Sequence, residues 1–238
     1  MRYVADKTGR FSQRPHYDPS ELDKDCELII TQFIREHHGK LVVPIPTEAL
    51  TSLIERDADD LDLFADLSSE GSDVEGITDF YRDRKPAVRI AKELSEHPRR
   101  EHRLRTTLTH EYGHVKFHAY LWQVEPEPLQ LFGEQGNKRS TNCKRDTMLD
   151  APRYDWMEWQ AGYVCGAILM PVTEVKHVVA GYVDQYRLCG RLNVDHEDGI
   201  ALKNLIASQF DVSEEAAMVR LLKLRYLTKE ETSGNIFG

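Results

Sequence analysis

The chain has 238 residues, of which 30% are charged and 40% apolar, with a formal net charge of -9. That balance is ordinary for a globular protein long enough to bury a sizeable core, and its acidity argues against a general affinity for nucleic acid or anionic membrane. No apolar run approaches the roughly 20 residues of a membrane span, and Met1-Arg2-Tyr3-Val4-Ala5-Asp6 begins nothing like a secretory leader, so a cytoplasmic location without a membrane partner is expected. Cysteines 26, 143, 165 and 189 are too widely spread for a zinc ribbon or a dense disulfide framework, and reduced thiols are expected.

Residues 1–19 are polar, with Gly9, Pro15 and Pro19, and suggest an extended N-terminal arm. A helix follows to about His37, with Ser20 as N-cap, Leu22, Cys26, Ile30 and Phe33 at helical spacing, and Gly39 as its stop. After an extended piece at 41–43 and two prolines, a short helix starts at Thr47. Strands are expected at 61–67, 76–81 and 87–90, separated by Gly71-Ser72-Asp73 and Arg84-Lys85-Pro86, which suggests a small antiparallel sheet. Helices over 99–121 and 155–170 flank a connection at 123–154 rich in Pro, Gly, Asn and charge. A loop of that length is usually functional or mobile. Past Pro171 come a helix to about Val179, one over 196–210, and a last one opened by Ser213. The domain organisation expected is an arm at 1–19, a main domain at 20–180 and a C-terminal helical element at 181–238 packed on it, in an α+β, mostly helical fold.

The chemistry concentrates in His110-Glu111-Tyr112-Gly113-His114. Residues four apart on a helix share a face, separated by about 6 Å of rise, so both imidazoles can reach one zinc ion at about 2.0–2.1 Å. Glu111 then faces the same ion and can take a proton from the attacking water. A catalytic zinc needs a third protein ligand. His118 continues the spacing, but on an unbroken helix it stands about 12 Å along the axis from His110, too far to share the ion. Glu158 on the next helix has two readings: a metal-compensated carboxylate in an apolar segment, or an acid that only complements a helix N-terminus.

The run Arg103-Leu104-Arg105-Thr106-Thr107-Leu108-Thr109-His110-Glu111-Tyr112-Gly113-His114 resembles the R-x-R-F-T-x-A-H-E-x-G-H segment of the ImmA/IrrE metallopeptidases. Glu158-Trp159-Gln160-Ala161-Gly162 through Leu169-Met170-Pro171 looks like that family's E-x-x-A-N-x-F-A-x-x-L-L-M-P helix. Phe210, Val212, Ser213, Ala216, Arg220 and Leu221 are similar to its closing F-x-V-S-x-x-A-M-x-x-R-L element. The resemblance implies His110, His114 and Glu158 as zinc ligands, Glu111 as catalytic base, and a gluzincin-type site framed by a small sheet and helices. It also implies a protein substrate, typically a helix-turn-helix transcriptional repressor cut in a stress or mobile-element response. The chain departs from the pattern at Thr106 (Phe in the family), Thr109 (Ala) and Gly162 (Asn).

Further expectations concern single residues. Cys143 lies beside Lys144 and Arg145, which favours its thiolate, and is a candidate latent ligand for the open zinc position. Tyr154, Tyr163 and His177 are candidate oxyanion donors. The stretch 207–226, with Arg220, Lys223 and Arg225, can be read as a helix-turn-helix DNA reader or as structural packing along Ala217, Leu221, Leu224 and Leu227; the acidity favours packing, and direct nucleic-acid binding is not expected. Two functions are thus in view: a zinc endopeptidase acting on a repressor, or a non-catalytic zinc-containing module that binds a repressor or DNA.

Overall fold

The computed structural model describes residues 1–124, 138–144, 148, 149, 151 and 154–230. Helices hold 55% of the residues and the strands form small sheets, so the α+β class and its helical bias both hold.

Where an extended arm is expected, β1 (Arg2–Ala5) and β2 (Gln13–His16) pair antiparallel, with Tyr3 opposite Pro15. Asp6 shapes the connection by accepting from the backbone N–H groups of Thr8 and Phe11. Phe11 thereby enters an aromatic cluster with Trp122 and Trp156, its ring centroid 4.7 Å from that of Trp122. Helix α1 (Pro19–His38) begins before Ser20: Asp18 is its N-cap, Pro19 supplies the first helical φ, and Glu21 accepts from the Asp18 N–H at 2.9 Å. Gly39, at φ 74°, ends it. Residues 41–46 join no sheet among the described residues and lead into α2 (Thr47–Asp57).

Strands β3 (Asp60–Ala65), β4 (Val74–Tyr81) and β5 (Ala87–Ala91) fall where the turn residues place them, but the sheet is mixed rather than antiparallel. Of the two connections between these strands, the 82–86 turn closes a hairpin and the other does not. The 66–73 connection carries the chain past one strand position, and β5 fills that gap parallel to β3. A fourth strand, β6 (Lys138–Lys144), lies within the stretch expected as loop and pairs antiparallel with β4, giving the order β3-β5-β4-β6. The rest of the expected 123–154 loop, at 125–137, 145–147, 150, 152 and 153, lies outside the described residues.

After α3 (Lys92–Ser95) and a 3-10 turn at Pro98–Arg100 comes α4 (Glu101–Phe117), followed by α5 (Ala119–Val124). The single helix expected over 99–121 breaks at His118, whose backbone leaves helical geometry while its ring is drawn into buried hydrogen bonds. The remaining elements are α6 (Trp156–Leu169), α7 (Val172–Tyr186), β7 (Leu192–Asn193), α8 (Glu197–Phe210), α9 (Glu214–Lys223) and β8 (Leu227–Thr228), which pairs parallel with β7. Ser213 caps α9 by accepting from the Ala216 N–H at 3.1 Å. Among the described residues no single helix is long and apolar enough to cross a membrane; α6 and α7 reach that length only together, across a 62° bend.

Helices α4 and α6 form the centre. Helix α4 buries every residue from Arg105 to Val115, and α6 every residue but Trp159. One lies against β4 and α2, the other against α1 and α9, and they pack on each other. Thr106, Thr107 and Thr109 are tolerated inside α4 because each hydroxyl donates to the carbonyl four residues back, at 2.8, 3.0 and 2.8 Å. Two of the three therefore explain themselves where the family pattern has Phe and Ala.

Two buried arginines pin the periphery to this centre. Arg105 donates to the carbonyls of Ile45, Phe210 and Asp211, fastening α4 to the start of α2 and the end of α8. Arg220 pairs with Asp23 at 2.7 Å and donates to the Met170 carbonyl, joining α9, α1 and the end of α6. Lys223 donates to the Leu149 carbonyl at 2.8 Å. Arg220 is 1% exposed and so offers no charge to a DNA backbone. Removing one partner of such a pair strands the other in the interior, so Arg220→Ala should lower unfolding free energy by about 3–5 kcal/mol, read from urea denaturation midpoints.

Candidate metal centre

The site forms where α4 and α6 cross at unusually short range. An added Cβ at Gly113 would lie 2.8 Å from the Ala161 Cα, so only glycine permits this approach. His110 and His114, one turn apart on α4, are thereby set opposite Glu158 near the start of α6. Their Nε2 atoms are 3.2 Å apart, and the Glu158 oxygens lie 3.1 Å from His110 and 3.3 Å from His114. Three donors at about 2.0–2.1 Å from one tetrahedral ion stand roughly 3.3 Å apart. These three side chains could hold a metal ion, and all are buried.

The chemistry of the donors agrees with their spacing. His110 Nδ1 lies 3.1 Å from the Met148 carbonyl, which can only accept, so the proton sits on Nδ1 and the lone pair on Nε2. That lone pair faces a carboxylate oxygen, an arrangement that repels unless positive charge lies between. Burial pushes the Glu158 carboxyl up, but the two imidazoles outweigh it and hold its pKa well below the usual carboxylate range. Burial likewise disfavours charge on His114, and the Glu158 carboxylate outweighs it, raising His114 above the ordinary histidine value. The cluster gathers positive charge, from a proton or from a metal ion.

Glu111 comes from the same turn of α4. Thr78 on β4 donates to its Oε2 at 2.5 Å, while Oε1 is buried with no hydrogen-bond partner among the described residues. Burial raises its pKa above the ordinary carboxylate value. Gly76, also on β4, makes room: a Cβ there would meet Glu111 Oε1 at 2.5 Å. One carboxylate oxygen is thus locked, and the other has no hydrogen-bond partner among the described residues.

Cys143 is not in a loop but on β6, opposite Gly76 and fully buried. Its sulfur, a His110 ring nitrogen and a Glu111 oxygen lie within 4.8 Å of one another. Burial, then the charges of Glu111 and Glu158, push its thiol well above the usual range, which reverses the expectation of a favoured thiolate. His118 stands behind the cluster: its Nδ1 lies 3.0 Å from His114 Nδ1 and its Nε2 3.0 Å from Gln160 Oε1. Burial and then the charge of His114 push its pKa down to about 3. Of the candidate oxyanion donors, Tyr163 donates to Asp23, whereas Tyr154 and His177 are exposed.

Thr78, Gln160 and the Met148 carbonyl are partners that the sequence did not flag. For Thr78 a signal existed, since it shares a strand face with Gly76 two residues earlier. Gly162 was visible only as a departure from the family pattern, and its role is spatial: a Cβ there would sit 2.6 Å from the Met148 oxygen that orients His110.

No family model, curated protein or solved structure matches the chain. What the site can do follows from its own geometry.

Gly162→Ala should displace the Met148 carbonyl and weaken divalent-metal binding by about tenfold to hundredfold, measured by chelator competition. Gly166→Ala on the same helix, where a Cβ would meet nothing closer than 3.5 Å, is the matched control and should bind normally.

Proposed function

We propose that the protein is a zinc endopeptidase of the ImmA/IrrE, gluzincin-like type, with His110, His114 and Glu158 holding the ion and Glu111 as general base. The observation that carries this reading is the buried Glu111 Oε1, without a hydrogen-bond partner among the described residues, beside a two-imidazole, one-carboxylate cluster of metal-binding dimensions. Zinc bound there would polarise a peptide carbonyl and acidify water toward neutrality. Glu111, locked through Oε2 by Thr78, takes the proton of the attacking water at Oε1 and can return it to the leaving amine. Burial raises its pKa, the direction that suits a group which must also return the proton as an acid. The resemblance of the 103–114 and 158–171 segments supports a protein substrate in the cytoplasm, a helix-turn-helix transcriptional repressor in a stress response.

A second reading, a non-catalytic zinc module that binds a repressor, is favoured by one fact: His110, Glu111 and His114 are all 0% exposed. Glu111→Gln separates the two. It should retain zinc at the wild-type stoichiometry while repressor cleavage falls about 10²–10⁴-fold; undiminished cleavage would remove Glu111 from the chemistry, and no cleavage by the wild type of any co-expressed repressor would favour the module.

Cys143 has its own place in this proposal. Its sulfur lies close enough to His110 and Glu111 to enter the ion's coordination in a latent state. Zinc-edge X-ray absorption should then show one sulfur ligand in the resting wild type and none in Cys143→Ser, and an equal sulfur count in both excludes the role.

A further inference from the structure

A chain of hydrogen bonds runs from the N-terminal hairpin into the donor set. The Pro15 carbonyl on β2 lies 3.0 Å from Gln160 Nε2, Gln160 Oε1 lies 3.0 Å from His118 Nε2, and His118 Nδ1 lies 3.0 Å from His114 Nδ1. His118 and His114 are 0% exposed and Gln160 is 1% exposed, so no water competes for these contacts.

The direction of every bond follows from its first member. A backbone carbonyl only accepts, so the Gln160 amide must present N–H to Pro15 and its oxygen to His118. That oxygen also only accepts, which places the His118 proton on Nε2 and leaves a lone pair on Nδ1. His114 must then donate from Nδ1, and in the neutral ring its own lone pair falls on Nε2, the atom 3.2 Å from His110 Nε2 and 3.3 Å from Glu158 Oε1. Reversing the chain would set the Gln160 oxygen against the Pro15 oxygen. A doubly protonated His118 would be a buried cation facing a second imidazole.

We propose that Gln160 and His118 are positioning residues that fix the tautomer of His114, with the Pro15 carbonyl of the N-terminal hairpin as the anchor that sets their polarity. Their effect on metal binding rests on the metal-centre reading above, whereas the tautomers can be read without any metal. The relay complements the Met148 carbonyl, which fixes His110 in the same sense from the other side. Both imidazoles thus meet the site through Nε2, each held by a hydrogen bond at Nδ1, the arrangement that sharpens a histidine as a ligand.

The test is long-range ¹H–¹⁵N correlation of the histidine side chains in full-length protein, metal-free and with zinc alone added, together with zinc affinity by chelator competition. His118 should show the Nε2–H tautomer in both forms and His114 an Nδ1–H when zinc is bound. His118→Phe, which keeps a ring but offers no acceptor, should lose about tenfold to hundredfold in zinc affinity. His118→Asn, whose amide oxygen can stand near the Nδ1 position, should recover most of it. A proton on His118 Nδ1, or a Phe variant that binds zinc as tightly as wild type, overturns the proposal. If the wild type binds no zinc but His118 keeps its Nε2–H, the relay stands and the metal reading falls.

Discussion

The closeness of α4 to α6 is the constraint on which the rest of the structure depends. Two helices usually pack with axes about 8–10 Å apart, set by the side chains between them. Here one contact is glycine against alanine, Gly113 on Ala161, and the backbone of one helix nearly touches the other. That approach brings a carboxylate from the start of α6 to imidazoles near the end of α4, with none of the three residues exposed beyond 9%. The same economy of volume recurs at Gly76 and Gly162, where a missing Cβ admits a carboxylate oxygen and a backbone carbonyl. The centre is built by subtraction of side chain as much as by placement of donors.

Burying so much polarity requires that each group find a partner, and the core is organised accordingly. The three threonines of α4 bond back onto their own helix, Arg105 and Arg220 satisfy carbonyls at chain turns, and Asp23 neutralises Arg220 while accepting from Tyr163. Against this background, the His110, His114 and Glu158 cluster faces its polar atoms inward on one another, and beside it Glu111 Oε1 has no hydrogen-bond partner among the described residues. Among the described residues the other buried side-chain atoms without a partner, Arg103 Nη2, Trp122 Nε1 and Trp156 Nε1, are all donors, so Glu111 Oε1 is the one acceptor in that set.

How much of this could be read from the sequence depends on how local each relation is. The two histidines and Glu111 were legible because an i, i+4 pair on a helix needs no tertiary information. Glu158 was ambiguous from spacing alone, since its meaning lies in the crossing of two helices and that crossing is encoded in glycine and alanine rather than in any charged residue. The parallel pairing of β3 with β5 was missed because turn residues mark where strands end, not which strand they join. β6 escaped notice because its sequence, KRSTNCK, carries almost no apolar alternation. The break at His118 has no glycine or proline to announce it; its cause is a side chain drawn into the core, visible only once Gln160 is in place.

The hairpin of β1 and β2 gives the first sixteen residues a leverage out of proportion to their size. Two short strands are marginal alone, and half of their residues are exposed. They are held to the body by Phe11 in its aromatic cluster, by Arg14 over the Trp156 ring and by the bond from Gln160 to Pro15. Such an element belongs to the part of a protein that opens locally long before the core does. Each opening releases the one carbonyl that tells Gln160 which way to point. The chemical identity of a fully buried nitrogen is thereby tied to the fraying of a peripheral ribbon, and whatever grips or releases that ribbon can alter the centre without touching it.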